Sequence, residues 1–235
     1  MTLAAEPLLA LLILALYLHD SAVLLRSNEA LLERGLFGRW RARFATRRFT
    51  LAGRHVFAGS FLPPCTPLFR LAWVMEREVP ASPGWEAFAR GLGALQWASA
   101  GFFVLVVVLL PAALFVRAGD GALLVLIVAA YAGIGAAAAL LLLQRGRLGL
   151  SVRQCLRMAG EMVLCPPVAA NLARRVSLQR AVDEDFVSAC LRLLPPAAWP
   201  RAAREIASRI ADEIEAEDEG SGRHAQLAQR KESLP

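Results

Sequence analysis

Two stretches decide the fold: Leu92–Val116, LGALQWASAGFFVLVVVLLPAALFV, and Gly121–Leu143, GALLVLIVAAYAGIGAAAALLLL. Neither holds a charged residue, and only Arg117-Ala118-Gly119-Asp120 separates them. A bilayer core about 30 Å thick is crossed by roughly 20 apolar residues in a helix. Each stretch is long enough, and so short a turn permits only an antiparallel hairpin. The chain is therefore expected to live in a membrane.

Composition agrees. At 57% apolar residues and a mean hydropathy of +0.47, the chain is more hydrophobic than an ordinary soluble domain. The net charge is +6, and Lys231 is the only lysine. That arginine bias is what a GC-rich bacterial genome gives. Cys65, Cys155, Cys165 and Cys190 form no CxxC pair, and His19, His55 and His224 stand at no ligand spacing. A zinc site needs clustered ligands, so four reduced, structural thiols and no metal or other cofactor are expected.

A third apolar run, Pro7–Leu25, lies near the N-terminus. A secretory signal carries basic residues before its apolar core. Here only Glu6 precedes the run, and the first arginine, Arg26, follows it. The expectation is an uncleaved transmembrane helix over 1–26, begun by Pro7 and continuing to Arg34 before a stop at Gly35.

Arginine counts orient the spans, because short cytoplasmic loops are enriched in Lys and Arg. Arg26–Gly91 holds 11 arginines against five acids, the 117–120 turn holds one of each, and Arg145 to the end holds 14 basic residues against 12 acids. The expected fold is an all-α membrane protein with spans over 1–26, 92–116 and 121–144. The N-terminus and the 117–120 turn lie outside. A loop over 27–91 and a helical tail over 145–211 are cytoplasmic, and 212–235 is an acidic, disordered end. The localisation expected is a bacterial inner membrane.

Local signals fill in the cytoplasmic segments. Phe49 and Leu51 alternate with polar or small neighbours before Ala52-Gly53, which predicts a short β-hairpin. Prolines in Leu62–Pro67 block a helix, and Ser82-Pro83 reads as a helix start. Trp85 and Trp97 bracket the expected membrane entry as an interfacial belt. Ser151 and Gln154 form a capping box for an amphipathic helix carrying Val152, Cys155, Leu156, Ala159, Met162 and Val163 on one stripe. That helix either lies flat in the interface or forms the core of a small tail domain, and Pro166-Pro167 ends it. Further helices are expected over Ala170–Leu178, from Asp183 to Leu194, and from about Pro200 with Ile206, Ile210 and Ile214 in line.

Three groups are candidate sites. Tyr17, His19 and Asp20 are polar groups in the first span, and an ionisable residue at membrane depth is a functional candidate by default. The bland alternative is a polar residue at the interface, bonded to a cytoplasmic arginine or to water. Arg39, Arg41, Arg43, Arg47, Arg48 and Arg54 stand among Trp40, Phe44 and Phe49. They read as a contact for anionic lipid headgroups or as a plain orientation signal, and only weakly as a nucleic-acid surface. Ala129, Gly133 and Ala137 give the third span a small-residue face for packing on its neighbour or on a partner, with Ala94, Ala98 and Gly101 available on the second span. Cys165-Pro-Pro-Val-Ala-Ala-Asn171-Leu-Ala-Arg174-Arg175 looks like a signature, although Asn171 could simply cap a helix.

No HExxH, GxSxG, P-loop or GxGxxG motif stands in the chain, and Asp183-Glu184-Asp185 reads as helix-start acids rather than a metal loop. The function expected is a non-enzymatic accessory or scaffold subunit acting through its cytoplasmic segments, toward a protein partner or a second copy of itself. The alternative is a subunit of a transporter or channel in which Asp20 faces a polar path.

Overall fold

The structure is a computed structural model that describes residues 5–35, 37–57, 65–73, 84–217, 221–232 and 234. In chain order it runs α1 (Ala5–Ser21), β1 (Val23–Leu25), β2 (Glu29–Arg34), β3 (Trp40–Arg43), β4 (Thr50–Leu51), β5 (Arg54–Phe57), β6 (Leu68–Ala72), α2 (Trp85–Gly91) and α3 (Gly93–Phe102). A π-helical segment over Phe103–Leu109 leads into α4 (Leu110–Phe115), then α5 (Asp120–Leu148) and α6 (Val152–Leu164). A 3₁₀ segment over Pro166–Asn171 precedes α7 (Leu172–Leu178), α8 (Phe186–Leu193), α9 (Trp199–Ala216) and α10 (Gly222–Glu232). The chain is mostly helical, but the all-α expectation is corrected by two three-stranded sheets.

Two compact units interleave along the chain. The first comprises Met1–Ala22, Ser60–Pro67 and Glu86–Val176; the second comprises Val23–Gly59, Leu68–Trp85 and Ser177–Pro235.

The first unit contains the hairpin read from the sequence. Gly93–Phe115 and Asp120–Leu148 are long and apolar enough to cross a membrane, and most of their apolar surface is uncovered, with only 33% and 17% of the residues in their apolar windows buried. A soluble core helix would bury that surface. Here Leu124, Val125, Val128 and Leu143 stand 58–85% exposed, which suits lipid. The α1 helix has 17 described residues, about 26 Å by helical rise. The two spans identified by length and composition do not include it.

Pro111 explains the π-helical segment. A proline has no N–H and its ring collides with the carbonyl four residues back. The wider turn accommodates it, and the Leu110 N–H reaches Leu105 O. At its far end α5 outlasts the expected 121–144 span and closes on Gly149 in the left-handed region (φ 64°), where the N–H groups of Gly149 and Leu150 cap carbonyls of the last turn. Ser151 and Gln154 form the capping box of α6 as read from the sequence.

The α6 helix neither stands in a separate tail domain nor leaves the hairpin. Cys155 Sγ lies 3.8 Å from Leu141 O, and Tyr131 Oη donates to Val163 O at 3.4 Å. The helix therefore runs back antiparallel along α5. Cys155, Met158 and Met162 form its buried stripe, while Val152, Leu156 and Val163 are exposed.

The second unit corrects the reading of 22–34. The first helix stops at Ser21, not Arg34. Val23–Leu25 pairs antiparallel with β5, and Glu29–Arg34 lies between β3 and β6. Leu, Glu, Ala and Arg favour helix locally. Pairing on both edges and complete burial of Ala30, Leu31 and Leu32 outweigh that preference. The β4–β5 hairpin matches its expectation: Ala52 and Gly53 both have positive φ (49° and 72°), as a tight two-residue turn needs.

An aromatic core fills this unit. Trp85 lies 5.1 Å from Phe69 and 5.3 Å from Trp40, and Phe44, Trp73 and Phe186 pack on one another at 5.2–6.2 Å between centroids. Trp85 is buried, so it is a core residue and not part of a membrane belt; Trp97 is exposed. The expected helix start at Ser82-Pro83 lies outside the described residues. The end taken as disordered from 212 is helical where described. The α9 helix continues to Ala216, and α10 follows, held by ion pairs of Arg223 with Glu213 and Arg230 with Asp185 and by buried Leu227. None of the four cysteines is in a disulfide, and burial, then the nearby Glu184 charge, pushes the Cys190 thiol up to about 12.

The hairpin packs through a ring on a glycine. A Cβ added at Gly133 would meet Phe102 ring carbons at 3.1 and 3.2 Å. Gly133→Leu should therefore destabilise by about 1–3 kcal/mol or more through overpacking. Thermal unfolding in detergent measures it, and an unchanged midpoint would show that the contact carries nothing.

Candidate functional site

The polar group of the first unit begins with the end of α1. Asp20 is the penultimate residue of that helix, so its carboxylate sits at the negative end of the helix dipole and needs donors. They come from far along the chain. Asn171 Nδ2 donates to Asp20 Oδ2 at 3.0 Å and to Ser21 Oγ at 2.9 Å, which uses both of its protons. Ser21 Oγ donates in turn to Tyr17 O at 2.8 Å. Arg175 Nε stands 3.8 Å from Asp20 Oδ1 and its Nη2 is 2.6 Å from Glu161 Oε2, while Arg157 Nε meets Glu161 Oε1 at 2.9 Å.

Local sequence explains why Asn171 can reach. Pro166 and Pro167 stop α6, and the 3₁₀ segment that follows buries Val168, Ala169, Ala170 and Asn171. Two alanines let its backbone approach its neighbours. Ala173 N–H then donates to Ser99 Oγ at 3.0 Å, about 9 Å by helical rise inside the start of α3. The polar group thus lies within the length of the apolar span. The two carboxylates, Asp20 and Glu161, face the guanidinium groups of Arg157 and Arg175, and the buried Arg174 acts on Tyr17 beside them. Burial acts to raise the Glu161 carboxyl, but the Arg157 hydrogen bond and the Arg175 charge prevail and hold it below its ordinary value.

The predicted residues sort unevenly. Asp20 is largely covered, Tyr17 is buried against Phe103 at 5.4 Å, and His19 is exposed. Asn171, Ser21, Arg175 and Glu161 were not tied to Asp20 in the sequence, although Asn171 and Arg175 stand in the stretch that looked like a signature. On α5, Gly133 and Ala137 face the packed side with Ala130, Ile134 and Leu141, while Ala129 is exposed. Ala94 and Gly101 are exposed, and α3 buries Leu95, Gln96, Ser99 and Phe102 instead.

The second unit carries a separate cleft of about 1090 Å³ lined by Trp40–Phe44, Phe57, Leu194 and the first turns of α9. Five arginines line it (Arg41, Arg43, Arg201, Arg204 and Arg209) against one acid, Glu205. The Trp40-Arg-Ala-Arg-Phe44 pattern is that of a strand: alternate residues face opposite sides, and the aromatic ones enter the core. Rings packed on one another in this way are not free to stack on bases. The remaining arginines of the cluster lie elsewhere. Arg47 is tied to Asp212 at 2.9 Å and to Ser208 at 3.0 Å, while Arg39, Arg48 and Arg54 are exposed. Asp185 caps α8 through Ser188 N–H at 2.9 Å, and Glu184 accepts from Arg192 at 2.5 Å and from Trp85 Nε1 at 3.3 Å. Among the described residues no group of three or more His, Cys, Asp or Glu is placed to hold a metal ion.

No protein-family model, curated protein or solved structure matches the chain.

Asn171→Ala leaves Asp20 and Ser21 without their donor and should destabilise the detergent-solubilised protein by about 1–3 kcal/mol. Glu161 adds a pH signature. A lowered carboxylate contributes stability above its unfolded value of 4.5 and loses it as pH falls through the lower folded value. Glu161→Gln should therefore lower the melting temperature at neutral pH and converge on the wild type in acid. Curves that stay parallel throughout would deny the pair any role.

Proposed function

We propose that this chain is a non-enzymatic multi-pass protein of a bacterial inner membrane. It serves as an accessory or scaffold subunit whose second unit engages a partner in the cytoplasm. The observation that carries the reading is the arginine-lined cleft, in a chain whose apolar helices leave a surface suited to lipid. In this reading α1 is a third span. Leu8, Leu9, Leu11, Leu12, Leu16 and Leu18 stand exposed along it, which supports lipid contact. The N-terminus and the 117–120 turn lie outside and the C-terminus is cytoplasmic, as the arginine counts require. Anionic headgroups meet the exposed arginines Arg39, Arg48 and Arg54 at the inner surface.

One observation favours a second reading. Asp20 is held among Asn171, Ser21 and Arg175 within the length of an apolar span, the environment expected of a residue facing a polar path in a transporter or channel subunit. The donors around it are already engaged, and Arg175 is shared between Asp20 and Glu161. This is the arrangement of a clasp, so the scaffold reading is preferred.

Asp20→Asn separates the two. It retains an acceptor for Asn171 and removes the charge. The scaffold reading expects a deletion strain to be complemented and crosslinks to the partner in native membranes to persist. Failed complementation with intact crosslinks would establish the transport reading instead. Orientation has its own check: a cytoplasm-active reporter should be active after Pro235 and inactive when inserted in the 117–120 turn, and the reverse pattern inverts the topology.

A further inference from the structure

The cleft of the second unit runs along the edge of a sheet. The strand order is β3-β2-β6, so β3 has a neighbour on one side, and among the described residues nothing pairs with its outer edge. The register makes Arg41 the partner of Glu33 and Arg43 the partner of Leu31, and Gly35 N–H donates to Arg39 O. In an antiparallel ladder, hydrogen-bonded pairs recur every second residue. Residues 39, 41 and 43 therefore turn their backbone groups toward β2. Trp40 and Ala42 turn theirs outward, into the cleft that they line. An exposed edge of this kind is a template for another strand.

The charges around that edge are only partly spent. Arg43 is held by Glu33 at 2.5 Å, and Arg209 by Glu205 at 2.7 Å and by Ala45 O at 2.6 Å. Arg41 and Arg201 are exposed and have no acidic partner among the described residues, and Arg204 donates only to Pro200 O. Three guanidinium groups thus face an open strand edge with no counter-charge.

We propose that the cleft binds an acidic, extended peptide of a partner protein, added antiparallel or parallel as a fourth strand along β3, with its carboxylates on Arg41, Arg201 and Arg204. The proposal rests on the scaffold reading for the existence of a protein partner. Charge alone would also suit a phosphate. The edge favours the peptide: Trp40 and Ala42 turn both N–H and carbonyl groups outward, alternating donors and acceptors that a second strand matches together and a phosphate, which only accepts, does not, while the strand's side chains meet the arginines.

The test uses the full-length protein in neutral detergent and a fluorescent peptide of alternating glutamate and valine. Binding should be saturable and should weaken with salt. It should fall about tenfold or more in the Arg41→Ala/Arg201→Ala/Arg204→Ala variant, which loses charge-assisted hydrogen bonds. Arg54→Ala, outside the cleft, should bind as the wild type does. A peptide with its central backbone N–H groups methylated, or with glutamine replacing glutamate, should not bind. Equal binding of the methylated peptide, or displacement by inorganic phosphate or anionic-lipid vesicles, would assign the cleft to a phosphate-bearing ligand and overturn the proposal. Failure of the acidic peptide to bind would overturn it too. Because the arginines are exposed, an unchanged melting temperature checks that the variant folds. Crosslinking in native membranes keeps the two readings apart: a partner recovered equally with the triple variant sinks the cleft assignment and leaves the scaffold reading standing.

Discussion

A carboxylate at the end of an apolar helix must be given donors, and the bonds from Asn171 to Asp20 and Ser21 are the constraint on which the first unit turns. The end of α1 places an acid at the negative pole of the helix. Ser21 Oγ turns back to Tyr17 O within the last turn, and the side chain of Asn171 supplies a donor to the acid. Because Asn171 is about 150 residues away in the chain, this arrangement fixes where the segment after α6 must lie. Pro166-Pro167 and the small residues after them then make sense as the means of bringing that backbone close. The same requirement explains the antiparallel course of α6, which carries Glu161 to the position where it shares Arg175 with Asp20.

Proline acts differently between α3 and α4. Pro111 does not break the helix there, because the π-helical segment ahead of it makes room for the missing N–H and the ring. The change of pitch still leaves Phe102, Val106 and Leu114 buried. The first of these meets Gly133, so at this point the hairpin packs a large ring over a glycine.

What the sequence made legible was what depends on neighbours in sequence. The apolar hairpin, the Ser151–Gln154 capping box and the Ala52-Gly53 turn are all written within a few residues. What it hid was set by distant pairing. Val23–Leu25 and Glu29–Arg34 read in sequence as the continuation of a helix and are strands because β5, β3 and β6 supply the ladders. Trp85 resembles a membrane-belt residue until Trp40 and Phe69 enclose it. Asp20 was visible as a polar residue in an apolar run, but no local signal names Asn171, Arg175 or Glu161 as its partners. The stretch from Cys165 to Arg175 was conspicuous only because two prolines, two alanines and an asparagine are unusual together.

The arginine cluster shows the same division within one segment. Read in one dimension, Arg39, Arg41, Arg43, Arg47, Arg48 and Arg54 form a single basic patch. In the fold, strand alternation and partner availability separate them. Arg43 neutralises a buried Glu33, Arg47 is drawn to α9 by Glu205 and Asp212, and Arg41 is left facing the cleft. A surface salt bridge contributes about 0–1 kcal/mol and is weak as a stabiliser, but each one removes a cation from what a ligand can use. The binding capacity of this face is therefore set less by how many arginines the sequence holds than by which acids reach them. Arg201 and Arg204, which no count over 39–54 includes, become part of it because the first turns of α9 carry them to the edge of β3.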